Sequence, residues 1–232
     1  MAYTLTNLQD DIRSYTEVSS TVLSSSVLDT IIKNSENKIY REVDSDQDRF
    51  YATSNCIIGN RYVTIPEDLR FIRYVQLKDA AGNQYYLEQR DTSFMAEYYS
   101  DPSTQSVDIP KYYGNWDEEF WVLAPTPDKT YEITLAYNKQ PETITDTTST
   151  PAPATNGTYL SNKYQDLLLY ACLVNTYAYL KGPQDMLQYY QGAYEKALYS
   201  YAIEQQGRRR RDEYADGVIR TVLASENPSS NK

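Results

Sequence analysis

Histidine is absent from the 232-residue chain. Its absence removes Ser-His-Asp and Cys-His nucleophile arrangements, H-E-x-x-H zinc sites and imidazole acid–base chemistry. Cysteine is nearly absent: Cys56 and Cys172 form no C-x-x-C pair and no disulfide framework, so they read as small buried residues. No apolar run approaches the roughly 20 residues needed to cross a bilayer. The longest, residues 167–174, falls short of half that length and includes Tyr and Cys. The opening Met-Ala-Tyr-Thr-Leu-Thr-Asn lacks both a basic start and an apolar run of signal-peptide length, so synthesis inside a cell, without membrane contact, is expected. Cationic side chains are in deficit, 22 against 32 acidic ones, for a net charge of −10, which argues against tight gripping of a phosphate backbone. Tyrosine is in excess, with 25 residues against 4 Phe. A large ring with a polar handle suits surfaces buried against a partner.

The period of the apolar residues divides the chain. In residues 1–49, Thr6 or Asn7 can cap a short amphipathic helix, and Leu28, Ile31, Ile32, Ser35, Ile39 and Val43 step by three and four along a second. From 50 to 140 the period becomes that of strands. Residues 54–58 and 61–66 about Gly59-Asn60 read as a hairpin, as do 71–77 and 85–88 about 79–83. Asp91 or Thr92 caps a short helix, and strands 111–116, 119–123 and 131–137 complete an antiparallel meander. Residues 141–158, rich in Thr, Pro and Ala, read as a mobile loop. Residues 159–206 form an αα-hairpin turning at Gly182-Pro183, its first helix apolar on two faces. Residues 207–232 form an extended tail. The fold class is therefore α+β: a helical core from the N-terminal helices and C-terminal hairpin, an inserted antiparallel β module, and the tail.

Three features invite a chemical reading. Asp44-x-Asp46-x-Asp48 opens like a calcium loop, but position six is Arg49 in place of Gly and position twelve is Asn55 in place of Glu, so a solvated helix exit is preferred. Glu118, Glu119 and Asp79, in a β region bearing Trp116 and Trp121, raise a glycosidase or carbohydrate-binding reading. Adjacent carboxylates on a strand point to opposite faces, which argues against the fixed pair that glycoside hydrolysis needs. No catalytic, cofactor or metal site is assigned, and no enzyme activity is expected. The run Arg208, Arg209, Arg210, Arg211 reads in three ways: a nucleic-acid patch, undercut by Asp212-Glu213; a solvated helix end complementing the helix dipole; or a docking sequence whose apolar anchors are Val218, Ile219, Val222 and Leu223.

The order of parts resembles the head-to-tail adaptor (connector, neck) proteins of tailed bacteriophages. The likeness rests on Val63-Thr-Ile-Pro-Glu-Asp-Leu-Arg70, Val122-Leu-Ala-Pro-Thr-Pro127, Tyr131-Glu-Ile-Thr-Leu-Ala-Tyr137 and Tyr159-Leu-Ser-Asn-Lys-Tyr-Gln-Asp-Leu-Leu-Leu-Tyr-Ala171, and spans roughly Leu28 to Gln206. The long Thr/Pro/Ala loop and the wealth of Tyr depart from the pattern. The resemblance implies a structural virion protein that forms a ring of twelve copies beneath the portal. It would join capsid to tail, carry a tail or second neck protein, and let DNA pass through its channel without specific binding. It also implies assembly in the host cytoplasm. Arg208 to Arg211, Tyr214, Val218, Ile219, Val222 and Leu223 then become the portal-docking tail. Tyr164, Leu169, Tyr170, Leu173, Tyr177, Tyr189 and Tyr199 become ring-interface candidates, because a ring needs two different patches per subunit. A carbohydrate- or surface-binding tail or baseplate module is the alternative, motivated by Trp116, Trp121 and the tyrosines of the β region.

Overall fold

The computed structural model describes residues 2–43, 45–99 and 107–209. Its elements begin with α1 (Leu5–Thr16), α2 (Ser25–Glu42), β1 (Arg49–Asn55), β2 (Tyr62–Thr64), β3 (Leu69–Lys78) and β4 (Gln84–Gln89). Next come α3 (Thr92–Tyr98), β5 (Val107–Asp108), β6 (Tyr112–Asn115), β7 (Phe120–Ala124), β8 (Thr126–Pro127) and β9 (Glu132–Lys139). The chain closes with α4 (Pro153–Asn156), α5 (Tyr159–Lys163), α6 (Gln165–Leu180) and α7 (Gln184–Arg209). These divide into two compact units: a helical one, from residues up to Asp46 and from Pro141 onward, and a β unit, Gln47–Gln140. The fold is α+β.

In the helical unit α1, α2 and α5 start where a hydroxyl accepts an orphan N–H. Thr4, two residues before the expected cap, accepts from the N–H of Asn7 at 3.3 Å. Ser24 caps α2 in the same way, accepting from Val27 at 3.4 Å. Leu8, Ile12, Leu28, Ile32 and Ile39 are buried against Leu167, Leu168 and Cys172 of α6 and Tyr190, Tyr194, Leu198 and Tyr201 of α7. The two apolar faces of α6 are used within the unit, since it packs against α1, α2, α5 and α7.

Residues 141–158 are tied down more closely than their composition suggests. Ile144 lies fully inside the core. Asp146 accepts from the backbone N–H and hydroxyl of Thr148 and from the hydroxyl of Ser149. Thr158 and Ser161 form a reciprocal capping box at the start of α5.

In the β unit the sheet order is β1-β9-β3-β4-β6-β7-β2. The expected β3–β4 hairpin is present. Asp79 closes its loop by accepting from the N–H groups of Ala81 and Asn83, and Gly82 takes a positive φ of 89°. The hairpin expected about Gly59-Asn60 is not: β1 pairs with β9, and β2 pairs with β7. The chain turns there, with Asn60 N–H on the carbonyl of Ile57. However, Cys56 donates to the Tyr131 carbonyl and Gly59 to that of Pro127, so the two strands part toward different neighbours. Nor is the sheet a pure antiparallel meander. β4 pairs with β6 in parallel, as does β5 with β8. Between β4 and β6 the chain passes through α3, and a crossover of that length permits parallel pairing where a tight turn would not.

Candidate interaction surfaces

The α6–α7 hairpin is held together by tyrosine. Tyr164 meets Tyr201 edge-on at 4.6 Å, and Tyr177 stacks on Tyr190 at 5.3 Å. Tyr170 lies 6.4 Å from the Tyr190 ring. These tyrosines, with Leu169, are half-buried against their own core, while Leu173 is wholly inside it. Five of the seven ring-interface candidates are thus wholly or partly occupied within the monomer. Beside them runs a groove of about 390 Å³, lined by Tyr164, Asp166, Tyr170, Lys196, Ser200 and Glu204. Burial, then hydrogen bonds with Tyr159 and Glu204, raise the Tyr164 hydroxyl well above its ordinary pKa.

Tyr189 and Tyr199 stand apart, 68% and 49% exposed. They belong to a second stripe on α7: Tyr189, Gly192, Lys196, Tyr199 and Ile203 step by three, four, three and four, a spacing that places them on one side of the helix. Tyr189, Lys196, Tyr199 and Ile203 are exposed, and a Cβ built on Gly192 meets nothing within 4 Å. The seam was visible in the residue spacing once the buried stripe through Tyr190, Tyr194, Leu198 and Tyr201 is subtracted.

Of the docking-tail residues, Arg208 and Arg209 form the last residues of α7, and their side chains lie outside the described structure. Arg210, Arg211, Tyr214, Val218, Ile219, Val222 and Leu223 lie outside the described residues altogether.

Glu36 is the one fully buried carboxyl of the helical unit among the described residues. Its Oε2 accepts the backbone N–H of Ile144 at 2.7 Å, and its Oε1 accepts the Thr158 hydroxyl at 3.3 Å. Burial pushes its pKa up to about 8, partly offset by those two hydrogen bonds. Burial likewise pushes the Cys56 thiol up to about 11 and raises that of Cys172, so neither is disposed to act as a thiolate near neutrality.

In the β unit, Trp121 is buried and packs on Tyr113 at 5.3 Å, whereas Trp116 is 53% exposed beside Tyr62 at 5.7 Å. Glu118 and Glu119 sit in the tight β6–β7 turn, where Asp117 accepts from the N–H groups of Glu119 and Phe120. They do not face each other across a cleft. Tyr51, Phe71, Tyr74 and Tyr86 are exposed on the outer face of β1, β3 and β4. No three His, Cys, Asp or Glu side chains converge as a metal site among the described residues. Among those residues no helix is long and apolar enough to cross a membrane.

Residues 3–221 match the family model described as SU10 adaptor protein, and the chain belongs to that family of bacteriophage adaptors. No curated protein matches the chain.

Proposed function

We propose that this structural virion protein assembles into a ring of twelve copies beneath the portal, joining the capsid to the tail or a second neck protein. The observation that carries the reading is the exposed seam on α7. Tyr189, Tyr199 and Ile203 present apolar area to solvent at a helix-packing spacing, with Gly192 leaving room for close approach by another element. The groove lined by Tyr164 and Tyr170 adjoins this seam at Lys196 and extends the same surface, which in a head-to-tail ring would meet a different patch of the neighbouring copy. The net charge of −10 suits a channel through which DNA slides without sticking. Residues 207–225, with the Arg208–Arg211 run and the apolar positions after it, supply the attachment to the portal. The protein would reside at the virion neck after assembly in the host cytoplasm, without catalysis or a cofactor.

Light scattering of the purified chain, alone and mixed with portal assemblies, tests this reading. A stoichiometric ring on the portal is the expected result, and no association in either state would overturn it. Exposed Trp116 and the outer tyrosines favour a second reading, a glycan-binding module, which a silent glycan array would exclude.

A further inference from the structure

The groove beside Tyr164 and Tyr170 runs along the α6–α7 hairpin toward the end of α7. Its floor is apolar, with Leu167 and Tyr201 both buried. Its α7 wall includes Lys196, Ala197, Ser200 and Glu204, and Glu204 precedes the end of the helix at Arg209 by about one and a half turns. Lys196 also belongs to the exposed seam, so whatever lies in the groove covers the edge of the surface assigned to ring formation.

From that end the chain continues. The sequence runs Arg210-Arg-Asp-Glu-Tyr-Ala-Asp-Gly217 and then presents Val218, Ile219, Val222 and Leu223, which step by one, three and one, the spacing of one apolar helix face. A tether of residues 210–217 spans up to about 26 Å. The rise of α7 is about 1.5 Å per residue, so Lys196 lies about 20 Å back from Arg209. The apolar cluster therefore reaches the whole stretch of the groove wall between Lys196 and Glu204 in its own chain.

We propose that, away from the portal, residues 218–223 lie in the groove of their own α6–α7 hairpin, and that capture of the tail by the portal uncovers it. The docking stands on the groove and the tether; only its consequence for assembly rests on the ring reading above. The occupant is the chain's own tail because a tether this short holds it at an effective concentration of about millimolar, above that of a second copy in dilute solution. Removing four aliphatic side chains from water supplies the driving force. The same four positions are those assigned to the portal, so groove and portal compete for one segment. Each tail taken up by the portal then frees the groove beside it, and the ring-forming surface is exposed where the portal is rather than in solution.

The test is a nitroxide attached at Ser225→Cys in the full chain, read by NMR; Cys56 and Cys172 are buried and are spared by the label. At a concentration where the chain is monomeric, the amide signals of Lys196, Ala197 and Ser200 should broaden. No broadening there overturns the docking. Equal broadening in a mixture that carries the nitroxide on one copy and the observed amides on another would place the tail on a second copy and overturn it as well. Ser200→Trp, at an exposed position in the groove wall, should displace the tail and abolish the broadening without changing the melting temperature. Val218→Asp with Val222→Asp should abolish it too, and in sedimentation velocity should lower the concentration for half-association about tenfold, the change expected if the tail covers the groove nine-tenths of the time. Self-association unchanged in that variant overturns the masking of the ring surface. Broadening at the groove in a wild-type chain that forms no ring, alone or on the portal, would overturn the ring reading and leave the docking standing.

Discussion

Ile144 donates its backbone N–H to the buried carboxyl of Glu36 at 2.7 Å, and the same carboxyl takes the hydroxyl of Thr158. One side chain of α2 thereby holds both ends of the segment between the β unit and α5. Since burial raises the Glu36 pKa in the folded chain to about 8 from an ordinary 4.5, the folded state binds the proton more tightly than the unfolded one. Its contribution to stability is fully present below 4.5 and is lost as pH rises through about 8. The melting temperature of the wild type should therefore fall between about pH 5 and about pH 9 relative to Glu36→Gln, which cannot ionise and keeps an acceptor oxygen. Parallel pH profiles for the two proteins would contradict this assignment.

Leu168 is fully buried between α6 and the helices around it. Leu168→Ala removes three carbons from a packed interior and should cost about 2 to 5 kcal/mol, read as a lower midpoint in denaturant unfolding. A loss below about 1 kcal/mol would mean that the site collapses around the smaller side chain.

The helical pattern was legible because the burial it predicts is local: Leu28, Ile32 and Ile39 lie on one face whatever lies opposite. The β3–β4 hairpin was legible for the same reason, its loop being closed by its own Asp79 and Gly82. Three features were not legible, and each depends on a partner distant in sequence. The strands flanking Gly59-Asn60 look like a hairpin, yet β1 goes to β9 and β2 to β7. Parallel pairing of β4 with β6 is a property of the crossover and leaves no mark on either strand. The segment 141–158 reads as mobile by composition because the acceptor that pins it, Glu36, is more than a hundred residues away. At the candidate interface, spacing separated Tyr189 and Tyr199 from the buried stripe but could not tell that Leu173, also on a regular stripe, is wholly enclosed by its own unit.

Gly192 lies within α7, where a Cβ has open space. Gly192→Ala should stabilise the monomer by about 0.5 to 1 kcal/mol, because the helix no longer has to order a glycine backbone. Gly192→Leu should keep that gain and yet impair ring formation, if the seam through Tyr189 and Tyr199 requires close approach. Thermal melts and native mass measured on both variants separate the two effects, and a Leu variant that assembles normally would remove Gly192 from the interface.

The final prediction concerns the tail. Helix α7 ends at Arg209, and its buried residues, Tyr190, Tyr194, Leu198, Tyr201, Ala202 and Gln205, all precede that point. Truncation after Arg209 therefore removes none of the helical unit's described core, and the melting temperature should stay within about 2 °C of the full chain. It does remove Arg210, Arg211 and the apolar positions Val218, Ile219, Val222 and Leu223, which the proposed function assigns to the portal. Co-sedimentation with portal assemblies should be lost while any self-association of the purified chain is retained. Portal binding that survives the truncation would move the attachment to another surface, whereas loss of both binding and fold would show that the tail belongs to the core.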